Sequence, residues 1–362
     1  MVDPVTVVAL VAVAALGGVV GAALGGYLAL GALGVFVVAG ELLVLMDVSL
    51  PVATPLGYSV WVGPHTVLGG GAAAAAFAVR RGYMDESYPY HPAKDVTFPL
   101  ARHSKALAVG GVFGVVGAGI AWLYTLVGAP FDPVAATVVL SAFLHRIVFG
   151  YPLVGAVRGG LLDLSPYERG ERREPMTDGG RTLGDGRPVD GRETTTQRGT
   201  PVGATRYVVE PFAPYQSDWR TTTALGVGVG LVSAALAYFT ASWLLAFGLA
   251  AAALLAFAVR EAVPVVYHVA LVAGMAVLVL APVEATSVAA PGTPADSASF
   301  SLPVALAVGT ASGIVAALLG ELLERVFYAH ADTHFDAPFA AVFVCSVGIG
   351  VLELAGLTGT PF

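Results

Sequence analysis

From Val5 to Met46 the chain is apolar almost without interruption, and Glu41 is the one charged side chain in the stretch. A helix that crosses a bilayer needs about 20 mostly apolar residues. The stretch therefore predicts two helices, broken near Gly25-Gly26. Similar runs at 58–79, 106–128, 131–157, 221–239, 241–259, 263–282, 302–328 and 335–357 bring the expected spans to ten. The first run is too long for a secretory signal and has no basic leader, so it is expected to stay in the mature protein.

Between the fifth and sixth runs lies the one long hydrophilic insertion, 158–220. Its stretch 168–206 is rich in Gly, Arg, Thr and acids and poor in large apolar residues. Such a segment cannot bury enough surface to offset its chain entropy, and it is expected to be largely disordered. The domain reading is therefore a membrane half at 1–157, a linker at 158–220 and a second membrane half at 221–362.

Basic residues give the expected orientation. Arg80, Arg81, Lys94, Arg102 and Lys105 fall between spans three and four, and Arg158 to Arg220 between spans five and six. Arg260 follows span seven and Arg325 ends span nine. With ten spans all of these lie on one side, which the positive-inside rule makes the cytoplasm. The opposite loops, 48–57, 129–130 and 283–301, hold no Lys or Arg. A multi-pass cell-membrane protein follows, with both termini outside and the linker cytoplasmic.

Composition narrows the classes further. Of 362 residues 56% are hydrophobic and only 12% charged, and the mean hydropathy is +0.78. An ordinary soluble domain carries about a quarter charged residues, so a water-soluble enzyme and a disordered chain are both excluded. The 45 glycines show no Gly-X-Y period and suit close-packed membrane helices. The single cysteine, Cys345, excludes a disulfide framework and a Cys-based metal site. No basic, aromatic-interleaved patch points to nucleic acid. The expected partners are the bilayer and a small solute or ion, with a homo-oligomer left open.

The halves resemble each other. FDPVAATVVLS at 131–141 aligns with FDAPFAAVFVCS at 335–346 through one inserted residue, pairing Asp132 with Asp336 and Ser141 with Ser346. His65 precedes Gly71 as His268 precedes Gly274, and Gly110 and Gly114 match Gly309 and Gly313. Five spans per copy is an odd number, so the second copy starts from the opposite side. The fold class expected is all-α: a polytopic membrane protein of about ten transmembrane helices in two inverted five-helix repeats, some helices broken or re-entrant. That architecture is typical of secondary transporters, whose sites lie where the repeats meet.

Asp132-Pro133 and Asp336-Ala337-Pro338 read as helix starts, with aspartate as N-cap and proline in the first turn. Gly63-Pro64-His65, and Pro264 ahead of His268, read as helix breaks. His65, Asp132, His268 and Asp336 are thus candidate ligands for a solute or ion. Glu41, Arg146, Glu321 and Asp332 are candidates for a proton or cation relay, because charge in a membrane is costly unless paired or hydrated. Glu41 and Arg146 are open to pairing with each other, and Glu321 to an i,i+4 pair with Arg325. His330, Asp332, His334 and Asp336 combine imidazole and carboxylate in a way that suits a divalent cation. No other cofactor is expected: there is no Walker motif and no HExxH.

Several strings resemble a family of prokaryotic integral-membrane proteins of unknown function. They are GPH-x5-G at 63–71, GGVFGVVG at 110–117, PYQ at 214–216 and GELLERVFYAHADTHFDAP at 320–338. The resemblance implies the membrane fold and the duplication but no activity. The leading expectation is a secondary transporter or permease and not an enzyme. A channel on the same scaffold, a non-transporting scaffold or sensor, and an intramembrane metal-dependent hydrolase are the alternatives.

Overall fold

The structure is a computed structural model that describes residues 4–48, 56–84, 89–173, 206–280 and 301–356. Among them the fold is helical throughout, with one isolated antiparallel bridge, Arg172 to Tyr207. The first half contains α1 (Pro4–Leu24), α2 (Gly26–Leu45), α3 (Pro64–Arg80), α4 (Ser104–Leu126) and α5 (Pro133–Val148). The second contains α6 (Trp219–Thr240), α7 (Leu244–Ala252, prolonged by a 3-10 turn at Ala253–Ala258), α8 (Tyr267–Leu280), α9 (Leu302–Phe327) and α10 (Ala337–Leu354).

Each helix falls on an expected apolar run, but only six, α1, α2, α4, α6, α9 and α10, are long and apolar enough to cross a membrane. The shortening is concentrated where prolines or polar side chains stand. Pro64 and Pro133 sit at the first turns of α3 and α5. The chain before α3, 59–63, runs through bends instead of helix, and the segment ahead of α8, 260–266, is irregular. The sixteen residues of α5 span about 24 Å at 1.5 Å per residue, less than the ~30 Å of a hydrocarbon core. Gly25, with φ 93°, makes the break between α1 and α2, in a conformation that L side chains rarely adopt.

The packing repeats itself. α1, α3 and α4 pack on one another in the first half, as α6, α8 and α9 do in the second. α5 packs on α3 and α4, and α10 on α8 and α9. Between the halves, α2 lies along α7 and α5 along α10. Both pairs run antiparallel. Gly31 abuts Leu255 while Gly34 abuts Gly248 and Ala252; Phe131 touches Phe343 while Phe143 touches Phe335.

Small residues make the crossings inside each half. A Cβ at Gly18 of α1 would lie 2.0 Å from the Gly110 carbonyl oxygen of α4, and one at Gly230 of α6 would lie 2.9 Å from that of Gly309 in α9. The matched glycine pairs of the sequence thus serve close backbone approach. Gly18→Val should lower stability by about 1–3 kcal/mol, as overpacking does. Gly119→Ala, with nothing within 4 Å, should be neutral or slightly stabilising. Thermal unfolding in one detergent measures both.

The core joins the halves through Tyr27, Leu30 and Phe247 together with Tyr267, Leu271 and Phe339. Val8, Phe36, Val112, Leu123 and Val232 are among the large apolar side chains left exposed, as a lipid-facing surface requires.

The insertion departs from expectation at its ends. Residues 168–173 and 206 belong to its expected disordered part but are held in place, since Arg173 N–H donates to the Arg206 carbonyl at 2.9 Å and Val208 N–H to that of Glu171 at 3.0 Å. Val209 and Glu210 are fully buried. A few apolar and ion-paired residues suffice to dock each end, which the composition of the whole stretch conceals. Its middle, 174–205, and most of the expected loop 283–301 lie outside the described residues.

Candidate functional site at Asp336 and His268

Asp336 is the N-cap of α10, and its Oδ1 accepts the Phe339 N–H at 2.7 Å. Two tyrosines donate to the same buried carboxylate. Tyr267 Oη, from the start of α8, lies 2.7 and 2.6 Å from its two oxygens, and Tyr27 Oη of α2 lies 3.1 Å from Oδ2. One carboxylate therefore ties the two halves together. His334 Nε2 lies 3.6 Å from Oδ2, and its ring packs against Tyr27, Phe212 and Tyr328.

Asp132 repeats the motif at α5. Its Oδ1 accepts the Ala135 N–H at 2.7 Å and its Oδ2 the Tyr58 hydroxyl at 3.1 Å. Its own N–H donates to Ser346 Oγ of α10 at 2.9 Å. The two aspartates do not converge. Ser346 lies ten residues along α10 from Asp336, about 15 Å at helical rise, so the aspartates occupy opposite ends of the α5–α10 pair. His65 is fully buried at the start of α3, with Nε2 3.0 Å from the Val60 carbonyl oxygen and its backbone against Gly117 of α4.

His268 lies on the Asp336 side, against Gly320 of α9, and lines a cavity of about 30 Å³. Glu321, Glu324, Gln216 and Thr222 supply its other polar walls, and Phe212 and Pro338 are among its apolar ones. Glu321 makes the expected pair with Arg325, Oε1 to Nε at 2.7 Å. Glu324 Oε1 accepts the Phe212 N–H at 2.6 Å.

The chain entering α8 is not helical, and its backbone needs partners where lipid offers none. Tyr215 and Gln216 provide them. Tyr215 Oη donates to the Val263 carbonyl at 2.6 Å and accepts the Val263 N–H at 3.2 Å. The Gln216 amide brackets Val265 in the same way, at 3.3 and 3.1 Å. This gives the PYQ string a structural purpose.

Other sequence candidates fall elsewhere. Arg146 does not pair with Glu41. Its guanidinium donates to the carbonyls of Leu153, Phe327 (2.8 Å) and Thr333 (3.1 Å) and to Thr333 Oγ1 (2.9 Å), clamping the loop 327–334 to α5. Glu41 is half-exposed on α2. The four residues considered for a divalent cation are not gathered. His330 Nε2 lies 3.1 Å from the Leu161 carbonyl oxygen, Asp332 pairs with Arg206 and Arg173, and His334 occupies its aromatic box. The chain turns between them instead of running as helix or strand. Among the described residues no three His, Cys, Asp or Glu side chains form a metal site.

Beside this loop lies a buried ionic cluster outside the helices. Glu210 receives Lys94 Nζ at 3.0 Å and Arg206 Nε at 2.7 Å, and Arg206 in turn holds Asp332. Burial lowers the Lys94 pKa to about 8, with Glu210 opposing the shift. Asp332 is held below the usual carboxylate range, because Arg206 and its neighbours outweigh the effect of burial.

Sequence reasoning missed Tyr27, Tyr58, Tyr267, Glu210 and the strap around Phe212. Tyrosines in apolar runs look like core, and only their hydroxyls' destinations distinguish them.

Among the described residues these features define an all-helical protein with six helices fit to cross a membrane and a polar site buried between its halves. The chain belongs to the family of unknown function DUF7973, which matches residues 1–361. No curated protein and no solved structure matches it.

Proposed function

We propose that the protein is a secondary transporter, a permease of two inverted five-helix halves that moves a small monovalent cation coupled to protons. The observation that carries this reading is the cavity shared by His268, Glu321 and Glu324 beside Asp336, where Tyr27 of one half meets Tyr267 of the other. A cavity of about 30 Å³ holds little more than a water, so its guest is a proton or a bare small cation.

The antiparallel pairing of α2 with α7 and of α5 with α10 supports the inverted arrangement. Equivalent helices that meet head to tail imply an axis lying across them. The basic connections support the orientation. Tyr207 bonds Pro89, His334 bonds Ala93 and Arg325 bonds Leu162, so these segments share one face, which the positive-inside rule makes cytoplasmic. The termini then lie outside. Asp132 with Tyr58 repeats the capped carboxylate and tyrosine arrangement at the outer end of the α5–α10 pair.

In liposomes loaded with a pH-reporting dye, an imposed sodium or potassium gradient should drive proton counterflow. Glu324→Gln should slow it at least tenfold with the fold intact. Counterflow no faster than in protein-free liposomes, or unchanged in Glu324→Gln, overturns the proposal. Flux that rises without saturation assigns the channel alternative instead. The tight packing of α2 on α7 favours a second reading, a non-transporting scaffold or sensor, which predicts no flux in a folded protein.

A further inference from the structure

The second end of the insertion does more than connect the halves. Residues 206–216 form a strap that runs along the cavity and contributes Phe212 and Gln216 to its wall. The Phe212 ring packs into the site at steep angles to its neighbours, 5.3 Å from Tyr27, 5.5 Å from Tyr328 and 6.1 Å from His334 between centroids. Its N–H is bound to Glu324, a carboxylate that faces the cavity. At one end the strap is held by the Lys94–Glu210–Arg206–Asp332 cluster, and Lys94 Nζ also donates to the Glu210 carbonyl at 3.2 Å. At the other it is stitched to the segment before α8 through Tyr215 and Gln216.

We infer that the strap 206–216 is the inner gate of the His268–Glu324 cavity, with Phe212 as its plug and the Glu210-centred ion cluster as its latch. The inference rests on the cavity being the transport site proposed above. The plug is released by its own ligand. A cation arriving at Glu324 draws on the same carboxylate that holds the Phe212 N–H, so occupancy of the cavity weakens the hold on the plug. The latch makes release collective. Its charges are buried against one another, and separating one pair strands the remaining charges without compensation. The strap therefore stays seated or leaves as a unit, as a gate must.

The test uses the full chain with Cys345→Ser and a reporter cysteine, Ala317→Cys, in the cavity wall. The readout is its rate of modification by silver ion, a thiol-reactive cation small enough to enter, followed as loss of maleimide labelling after denaturation. Phe212→Ala should raise that rate at least tenfold over the parent, and Glu210→Gln should raise it in the same direction. An unchanged rate in Phe212→Ala with a preserved unfolding midpoint overturns the gate, as does a parent that reacts as fast as an exposed control cysteine. Should Glu210→Gln fail to fold, Phe212→Ala decides alone. Proton counterflow measured on the same preparations separates the two claims. Faster modification without any flux keeps the strap as a cover of the cavity but sinks the transporter and with it the gating role, and flux with unchanged modification sinks the gate alone.

Discussion

Asp336→Ala should be among the most damaging single changes in the protein, lowering stability by about 3–7 kcal/mol. It removes the N-cap of α10, worth about 1 kcal/mol. It also strands two buried tyrosine hydroxyls, from Tyr27 and Tyr267, each costing about 1–3 kcal/mol when left unsatisfied. Asp132→Ala removes an equivalent cap but one tyrosine bond only, so its loss should be clearly smaller. Asp336→Asn keeps an acceptor for the α10 amide and one hydroxyl, and it should fold with a modest loss. Reversible denaturation in detergent ranks the three. Equal losses for the two alanine variants would show that the tyrosine bridge between the halves contributes nothing.

Arg146→Ala should lose about 3–5 kcal/mol by another route. The buried guanidinium is the donor for carbonyls of Leu153, Phe327 and Thr333, and alanine leaves these acceptors unpaired without relieving any charge on a partner. Arg146→Lys should recover less than half of the loss, because an ammonium cannot match the planar fork that reaches separate carbonyls. Hydrogen exchange should show the defect first at 327–335, the loop the arginine clamps to α5. Protection there equal to wild type in Arg146→Ala would refute the clamp.

Much of this molecule is legible in its sequence. Apolar runs locate each of α1 to α10, because a bilayer-type interior favours segments that satisfy their own backbone. Asp132 and Asp336 cap α5 and α10 as their prolines announce, because capping is satisfied within three residues of chain. The glycine pairs that match between the halves do sit at helix crossings, since only hydrogen fits where backbones touch. Less legible was the pairing of charges. Arg146 and Glu41 look complementary in a list of intramembrane charges, yet a guanidinium satisfied by carbonyls needs no acid. Nor does composition reveal that Glu210, set in a polar insertion, would be buried between Lys94 and Arg206.

The sequence alone therefore determined the apolar helices, their caps and their small-residue seams, all of which depend on neighbours a few residues away or on the solvent. Tertiary structure alone decided which polar atoms meet. It separated Asp132 from Asp336 along an antiparallel helix pair and brought Tyr27 across the halves to Asp336. It also folded the strap against Glu324. Hydrogen bonds of this kind are short-ranged, and the residues that make them lie far apart in the chain, so packing has to assemble the partners.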